Sequence, residues 1–313
     1  MAADPILSMT FEKLSQCSKV WPDIFVRSKN ASPFISYEWF TAFCSTILKS
    51  DIDVIVCRDK DEPIGIIPAI INDDMLTFIA DERITDLVDI IALPGQEHHV
   101  IERLALLIDD NDLMLDLCPV ENDGLLCRML PTLIPDIKTV QADLCPVIAL
   151  AGSWEEYLND LPSKARHELR RKMRKASGIR IQKNDKIQLN TILKLIAASS
   201  PSKERFLEDD ICAFFCQLGG YFSIKKWLRL HLAYAGPTPI AALFAFQMKD
   251  RIYLYNSGFD PDFCQLSPGI ITIGQDIKSG IEEGFKYYDF LRGAEAYKFG
   301  FGARTRYTMK LKR

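Results

Sequence analysis

The sequence predicts an α/β chain of two tandem modules, α+β in character, each a mixed and mostly antiparallel sheet flanked by helices. Three observations lead there. The chain has 313 residues, more than one average domain. Several strands followed by helix, strand, helix occur once in each half, without tandem sequence identity. No Gly/Ser-rich linker separates the halves, whose join falls near Asp143–Gly152, so the modules are read as 1–150 and 151–313.

In the first half, Tyr37–Leu48 has helical periodicity and Ile52–Cys57 alternates as a strand. The turn Asp59-Lys60-Asp61-Glu62-Pro63 leads to a second strand, Ile64–Ile71. Asn72-Asp73-Asp74 turns into a third, Met75–Ile79, and Leu87–Leu93 reads as a fourth. After Pro94-Gly95, the spacing of Val100, Leu104 and Ile108 marks a helix, followed by a strand at Leu113–Cys118 and a helix at Gly124–Leu133.

The second half repeats the order. Trp227–Ala235 alternates apolar residues with Arg229 and His231, which predicts one wet face. Ile240–Met248 is apolar on both faces and reads as a central strand. Arg251–Phe259 is a third strand, ending at Asp260-Pro261. A helix from Pro268 to about Gly284, a strand at Tyr287–Leu291, a helical turn near Ala294–Phe299 and a strand from Thr305 complete it.

Composition narrows the function. At 48% hydrophobic and 26% charged, the chain is neither disordered nor fibrous. The 38 basic and 42 acidic residues leave a net charge of −4, which argues against a general polyanion binder and against DNA. Nine cysteines form no CxxC, and the four histidines make no zinc spacing with them, so neither a disulfide framework nor a metal is expected. The N-terminus MAADPILSMT lacks a signal peptide's basic region, and the longest apolar run, Ile240–Met248, is half a membrane span. The expectation is a cytoplasmic protein with no transmembrane segment.

Three segments carry chemistry. The first is a basic helix, 163–177, behind the capping spacing Ser153-Trp154-Glu155-Glu156 and the apolar stripe Trp154, Tyr157, Leu158 and Leu161. It holds Lys164, Arg166, Arg170, Arg171, Lys172, Arg174 and Lys175 against one acid, Glu168. Helical spacing aligns Arg166, Arg170 and Arg174, opposite a seam of Ala165, Leu169 and Met173. The row is either a solvated face neutralised by acids from elsewhere or a contact for a phosphate-bearing partner such as a nucleotide, coenzyme A, tRNA or a lipid-linked sugar.

The second segment is Ser267-Pro268-Gly269, with serine suited to the N-cap and proline to the first helical position. A helix start after a strand is a place for phosphate. Its field is worth about 0.3–2 kcal/mol against the roughly 8 kcal/mol of micromolar binding, so it orients a ligand without holding it alone. The third is Tyr287–Gly302, where Asp289 sits mid-strand among aromatics and requires a partner such as Arg292 or Lys298. A structural ion pair and a functional site are both open readings of it. No nucleophile elbow, P-loop, HExxH or dinucleotide fingerprint occurs.

Taken together, Ser153-Trp154-(x2)-Tyr157-Leu158-(x2)-Leu161-(x4)-Arg166-(x3)-Arg170-Arg171, Ser267-Pro268-Gly269, and Tyr288-Asp289-Phe290-(x)-Arg292-Gly293-(x)-Glu295-(x)-Tyr297-Lys298 resemble the FemAB/CelD-like branch of the GNAT acyltransferase superfamily. The resemblance spans nearly the whole chain and implies two GNAT-like modules. It implies acyl transfer to an amine of a small molecule or a cell-envelope or polysaccharide precursor, with acetyl-CoA as co-substrate and no tightly bound cofactor. Related branches draw instead on aminoacyl-tRNA, and a non-catalytic ligand-binding module is a third reading. By resemblance, Gln265, Ser267 and Gly269 meet the donor, joined by Arg166 and Arg170. Asp289 and Glu295 are the base candidates, with a water chain as the alternative to either. Tyr297, Lys298 and Arg292 stabilise the oxyanion or hold a substrate anion, and Arg171 assists with substrate. The usual coenzyme A loop, Arg/Gln-x-x-Gly-x-Gly/Ala, is matched only loosely by Gln265–Ile270.

Overall fold

The computed structural model describes residues 7–175, 178–184 and 188–313. The first six residues, part of the N-terminal reading, and positions 176 and 177 of the basic helix lie outside the described residues. By internal contacts the chain forms two units, Met1–Asp143 with Tyr307–Arg313, and Leu144–Arg306. The boundary therefore falls a few residues before 150, and the last strand pairs within the first unit.

In the first unit, strands β1 (Leu7–Lys13), β2 (Asp53–Asp59), β3 (Glu62–Ile67) and β6 (Ile91–Ala92) form one antiparallel sheet. Strands β4 (Ala69–Asn72), β5 (Met75–Phe78), β7 (Met114–Glu121), β8 (Lys138–Leu144) and the final β15 (Tyr307–Lys312) form another, ordered β4-β5-β7-β15-β8. Helices α1 (Val20–Arg27), α2 (Tyr37–Phe43), α3 (Glu97–Asp110) and α4 (Leu125–Leu133) complete the unit.

Two departures from expectation have local causes. Ile64–Ile71 is two strands in different sheets, because Pro68 interrupts it with no N–H to donate to a ladder. Leu87–Leu93 contributes the two-residue β6 and a single parallel bridge from Val88 to Val120. Within it Asp89 turns inward and accepts from the N–H groups of Leu125 (2.6 Å) and Leu126 (3.0 Å), capping α4.

The second unit is built on one six-stranded sheet in the order β10-β11-β12-β13-β14-β9. Its strands are β9 (Val147–Ala149), β10 (Ile179–Asn184), β11 (Leu228–Ala235), β12 (Thr238–Met248), β13 (Arg251–Phe259) and β14 (Tyr287–Asp289). Its helices are α5 (Trp154–Asp160), α6 (Ser163–Lys175), α7 (Leu189–Ala198), α8 (Pro201–Phe206), α9 (Asp209–Lys225), α10 (Pro268–Glu282) and α11 (Ala296–Gly300).

Period-two alternation along β12 divides the core. Leu243 and Ala245 join Ile273 and Ile277 of α10 in one cluster. Phe244 and Phe246 point the other way, where their rings meet Phe215 and Phe222 of α9. The basic helix packs as its seam predicts: Leu169 is buried, and Leu169 and Met173 lie against Gly274 of α10. A Cβ at Gly274 would stand 3.0 Å from the Met173 sulfur, so this glycine lets the two helices approach.

The wet face expected on β11 is covered. Arg229 and His231 are both buried, because α10 lies over that side: its Asp276 faces both, and Glu283, the residue that caps its C-terminus, pairs with Arg229. Alternation in sequence reports polarity, and here the polar side is paired inside the unit.

Candidate active site

The site begins with two strands that part. β13 and β14 pair in parallel over only three residues, Arg251–Tyr253 against Tyr287–Asp289. Beyond them β13 runs six residues further, while β14 ends and Leu291 takes a left-handed conformation (φ 53°). A bulge at Tyr255 breaks the β12–β13 register, with Phe244 opposite Asn256 and Ala245 opposite Leu254. Such bulges re-aim the residues beyond them and recur beside active sites.

Against the extended end of β13 lies a cavity of about 390 Å³. Its walls are Ser257, Gly258 and Phe259 at the end of β13, Ser267 to Ile270 and Ile273 at the start of α10, Tyr297 of α11, Cys264, and Ser199, Ser200 and Lys203 around α8. No carboxylate and no imidazole is among the lining residues.

Ser267 is the N-cap of α10, but in the left-handed region (φ 54°), and its side chain caps nothing. The first intrahelical bond runs from Ile271 N–H to Ser267 O at 3.1 Å. Pro268 has no N–H, so those of Gly269 and Ile270 are the donors without intrahelical partners, both at residues lining the cavity. Gly269 presents no side chain there. Tyr297 shares a hydrogen bond with Ser257, and burial, with Glu295 nearby, holds its phenol well above the usual range.

The other proposed residues stand elsewhere. Asp289 is fully buried, and its Oδ2 accepts from Arg251 Nη1 and Arg306 Nη2, both at 2.9 Å. Its Oδ1 accepts from Leu291 N–H at 2.9 Å. Its partners are thus Arg251 and Arg306 rather than Arg292 or Lys298; the carboxylate pins the end of β14 and is not among the residues lining the cavity. Lys298 is also buried, its Nζ 2.8 Å from Arg292 O, 3.1 Å from Gly293 O and 2.9 Å from Glu295 Oε2. An ammonium has three donors, and all three are engaged in this turn. Glu295 is exposed and paired to Lys298. The Lys298→Met variant is accordingly expected to lose about 2–3 kcal/mol of stability, read as a lower denaturant midpoint. Normal stability with lost turnover would return Lys298 to the site.

Gln265 is exposed, on the turn before α10, and does not line the cavity. The arginine row faces α5, with Arg170 paired to Glu155 (2.8 Å) and Arg166 bonded to Asn159 O (3.3 Å). Arg171 pairs with Glu168 within α6 at 2.8 Å. The side of α6 that adjoins the cavity carries Glu168 and Lys172. With Ala165, Leu169, Gly300 and Phe301 they line a second space of about 140 Å³, which shares Ile270 and Tyr297 with the first.

Lys203 is the ionisable cavity residue that sequence reading missed. Ser200 caps α8 by accepting from Lys203 N–H at 3.3 Å, and the Lys203 Nζ donates to Ser257 O on the edge of β13. Only the Ser-Ser-Pro-Ser-Lys cap at 199–203 signals this short helix, and nothing in it announces a cavity.

Comparisons with known proteins agree with this architecture. Residues 163–299 match the family model of the acetyltransferase (GNAT) domain. The fold is similar to the crystal structure of FemX, at 11% identity and TM-score 0.64, covering 97% of this chain and 96% of that one. It is also similar to the C-terminal domain of a putative lysylphosphatidylglycerol synthetase from Agrobacterium fabrum, at 9% identity and TM-score 0.61, covering 96% and 92%. A tandem GNAT protein from the clavulanic acid biosynthesis pathway aligns at 9% identity and TM-score 0.53, covering 97% and 98%. A comparison with curated proteins finds no match. Among the described residues no helix is long and apolar enough to cross a membrane.

Proposed function

From a chain with a GNAT-type domain and the two-module fold of the FemAB-like branch, we propose an N-acyltransferase. It moves an acyl group, acetyl from acetyl-CoA in the leading reading, to an amine of a small molecule or an envelope or polysaccharide precursor. The observation that supports this best is the parting of β13 and β14 beside the start of α10. There two backbone N–H groups, Ser257 and Tyr297 surround a cavity the size of an acyl end with its adjoining arm. Attack is direct: the acceptor nitrogen adds to the donor carbonyl, and holding both reactants in one cleft supplies much of the rate. The N–H groups of Gly269 and Ile270 are the preorganised donors on hand for negative charge. Cys264 has no imidazole beside it in the lining, so no acyl-enzyme is invoked.

The outer phosphates of the donor are assigned to Arg166 and Arg170, whose present partners are surface contacts that a phosphate displaces at little cost. Replacing both with alanine is expected to weaken donor binding about tenfold while leaving the melting temperature nearly unchanged. Unaltered binding would return the row to a solvated face.

Aminoacyl-tRNA is the alternative donor, favoured by the loose coenzyme A loop at Gln265–Ile270 and by the basic α6. Calorimetric titration with acetyl-CoA, free coenzyme A and uncharged tRNA separates the readings. Micromolar binding of the thioester supports the first. Salt-sensitive binding of tRNA alone supports the second. Silence with every ligand would leave a non-catalytic module.

A further inference from the structure

Acyl transfer to an amine needs a proton acceptor, because the nitrogen that adds to the carbonyl becomes positively charged and must lose a proton before the intermediate collapses. The carboxylates that sequence suggested are unavailable. Asp289 is held by two arginines and a backbone N–H, and Glu295 lies exposed on Lys298, outside the lining.

The titratable groups that do line the cavity are Lys203, Tyr297 and Cys264. The phenol of Tyr297 is a poor acceptor, since burial disfavours its ionised form. Cys264 is exposed. Lys203 remains, and its placement is constrained at both ends. Its backbone is fixed in the first turn of α8 by the Ser200 cap, and its Nζ is tied to Ser257 O on the edge of β13 that β14 has vacated.

We propose that Lys203 is the catalytic proton acceptor of this transferase, an inference that rests on the acyl-transfer reading. The neutral Lys203 amine takes the proton from the acceptor nitrogen of the tetrahedral intermediate. The bond from the carbonyl carbon to the leaving group then breaks. The leaving sulfur or oxygen recovers that proton from the Lys203 ammonium, which restores the neutral amine. Charge and protons balance within the cleft, with no further reagent.

The surroundings suit the role. Burial pushes the Lys203 ammonium below the usual lysine range, and the two nearby charges oppose each other, Glu295 raising it and Lys298 lowering it. The bond to Ser257 O needs one N–H, which the neutral amine retains.

Competitive labelling of the intact protein with acetic anhydride across the pH range, read by peptide mass spectrometry, tests the proposal without any substrate. Lys203 is expected to reach half-labelling at a lower pH than the lysine of a short unstructured reference peptide added to the same reaction. Lys203 titrating with the reference peptide, or inaccessible to the reagent at every pH, would overturn the assignment. A second arm uses Lys203→Arg, which keeps a donor for Ser257 O but stays protonated and so accepts no proton. With acetyl-CoA or aminoacyl-tRNA and an amine panel, its kcat is expected to fall about 100-fold or more, with KM changed less than about threefold. The acidic limb of the wild-type pH profile is expected to vanish. An arginine variant that retains a third of the turnover, or keeps the limb, would show a purely electrostatic lysine. Wild-type protein that binds and transfers from neither donor would defeat the acyl-transfer reading instead, while the labelling result would still stand.

Discussion

Arg229→Met is expected to cost the second unit about 3–5 kcal/mol of stability, the usual penalty for breaking a buried ion pair from one side. Arg229 has no solvent exposure, and its Nε donates to Asp276 Oδ1 at 2.6 Å. Its Nη1 reaches Glu283 Oε2 at 2.7 Å and Gln247 Oε1 at 3.0 Å. Without it Asp276, itself fully buried in the middle of α10, keeps the Tyr288 hydroxyl at 2.8 Å as its hydrogen-bond donor among the described residues, with His231 Nε2 3.3 Å away. Hydrogen exchange of the β11 and β12 amides reads this unit separately from the other. A loss under about 1 kcal/mol would mean that water reaches Asp276. Adding Asp276→Leu is expected to recover much of the loss, since an apolar pair of similar size often replaces a buried ion pair without penalty.

The same network makes the unit acid-labile, and the sign follows from two groups. Burial alone would raise the Glu283 carboxyl, but bonds from Arg229 and Ser279 outweigh it and bring it down to about 2. Its contribution is therefore full above the unfolded carboxylate value and is lost as pH falls toward 2. Burial also lowers the His231 imidazole, against the pull of Asp276, which stands 3.3 Å away without the alignment of a hydrogen bond. Histidine in the unfolded chain binds a proton first as pH drops, so this group too withdraws stability on acidification. Arg229→Met removes Glu283's main partner and is expected to flatten the carboxylate part of that decline.

What sequence revealed was periodicity and local chemistry. Ile240–Met248, apolar on both faces, becomes the central β12, and the seam of Ala165, Leu169 and Met173 marks the side of α6 that meets α10. Partners distant in sequence were beyond its reach. Asp289 signalled a buried carboxylate, correctly read as needing a cation, but Arg251 and Arg306 answer it across strands where a search of nearby positions finds Arg292 and Lys298. The same limit hid Lys203. Its role depends on α8 being brought to the end of β13, and residues 189–225, which form α7, α8 and α9, lay outside the sequence reading. Apolar alternation likewise cannot say whether a polar face meets water or a covering helix, and Arg229 shows the difference.

Gly269→Val is expected to weaken donor binding at least 100-fold, about 3 kcal/mol, with little change in stability. Gly269 occupies the second position of α10, at the mouth of two backbone N–H groups without intrahelical partners. A Cβ there would already stand 3.3 Å from the Phe259 ring, so a branched side chain must either push that ring into the cavity or enter the cavity itself. Either movement fills the place where the donor's acyl end is proposed to lie. The helix field at this position is worth only about 0.3–2 kcal/mol, too little for its loss alone to account reliably for a 100-fold effect. Steric exclusion is therefore the dominant cause, and Gly269→Ala, which adds one methyl group and no branch, should fall between wild type and valine. That grading distinguishes exclusion from a field effect, because alanine leaves both N–H groups in place. Titration of the three proteins with acetyl-CoA, beside their denaturation midpoints, checks it. Equal affinity in all three would mean that the donor does not lie at the start of α10, whatever its chemistry.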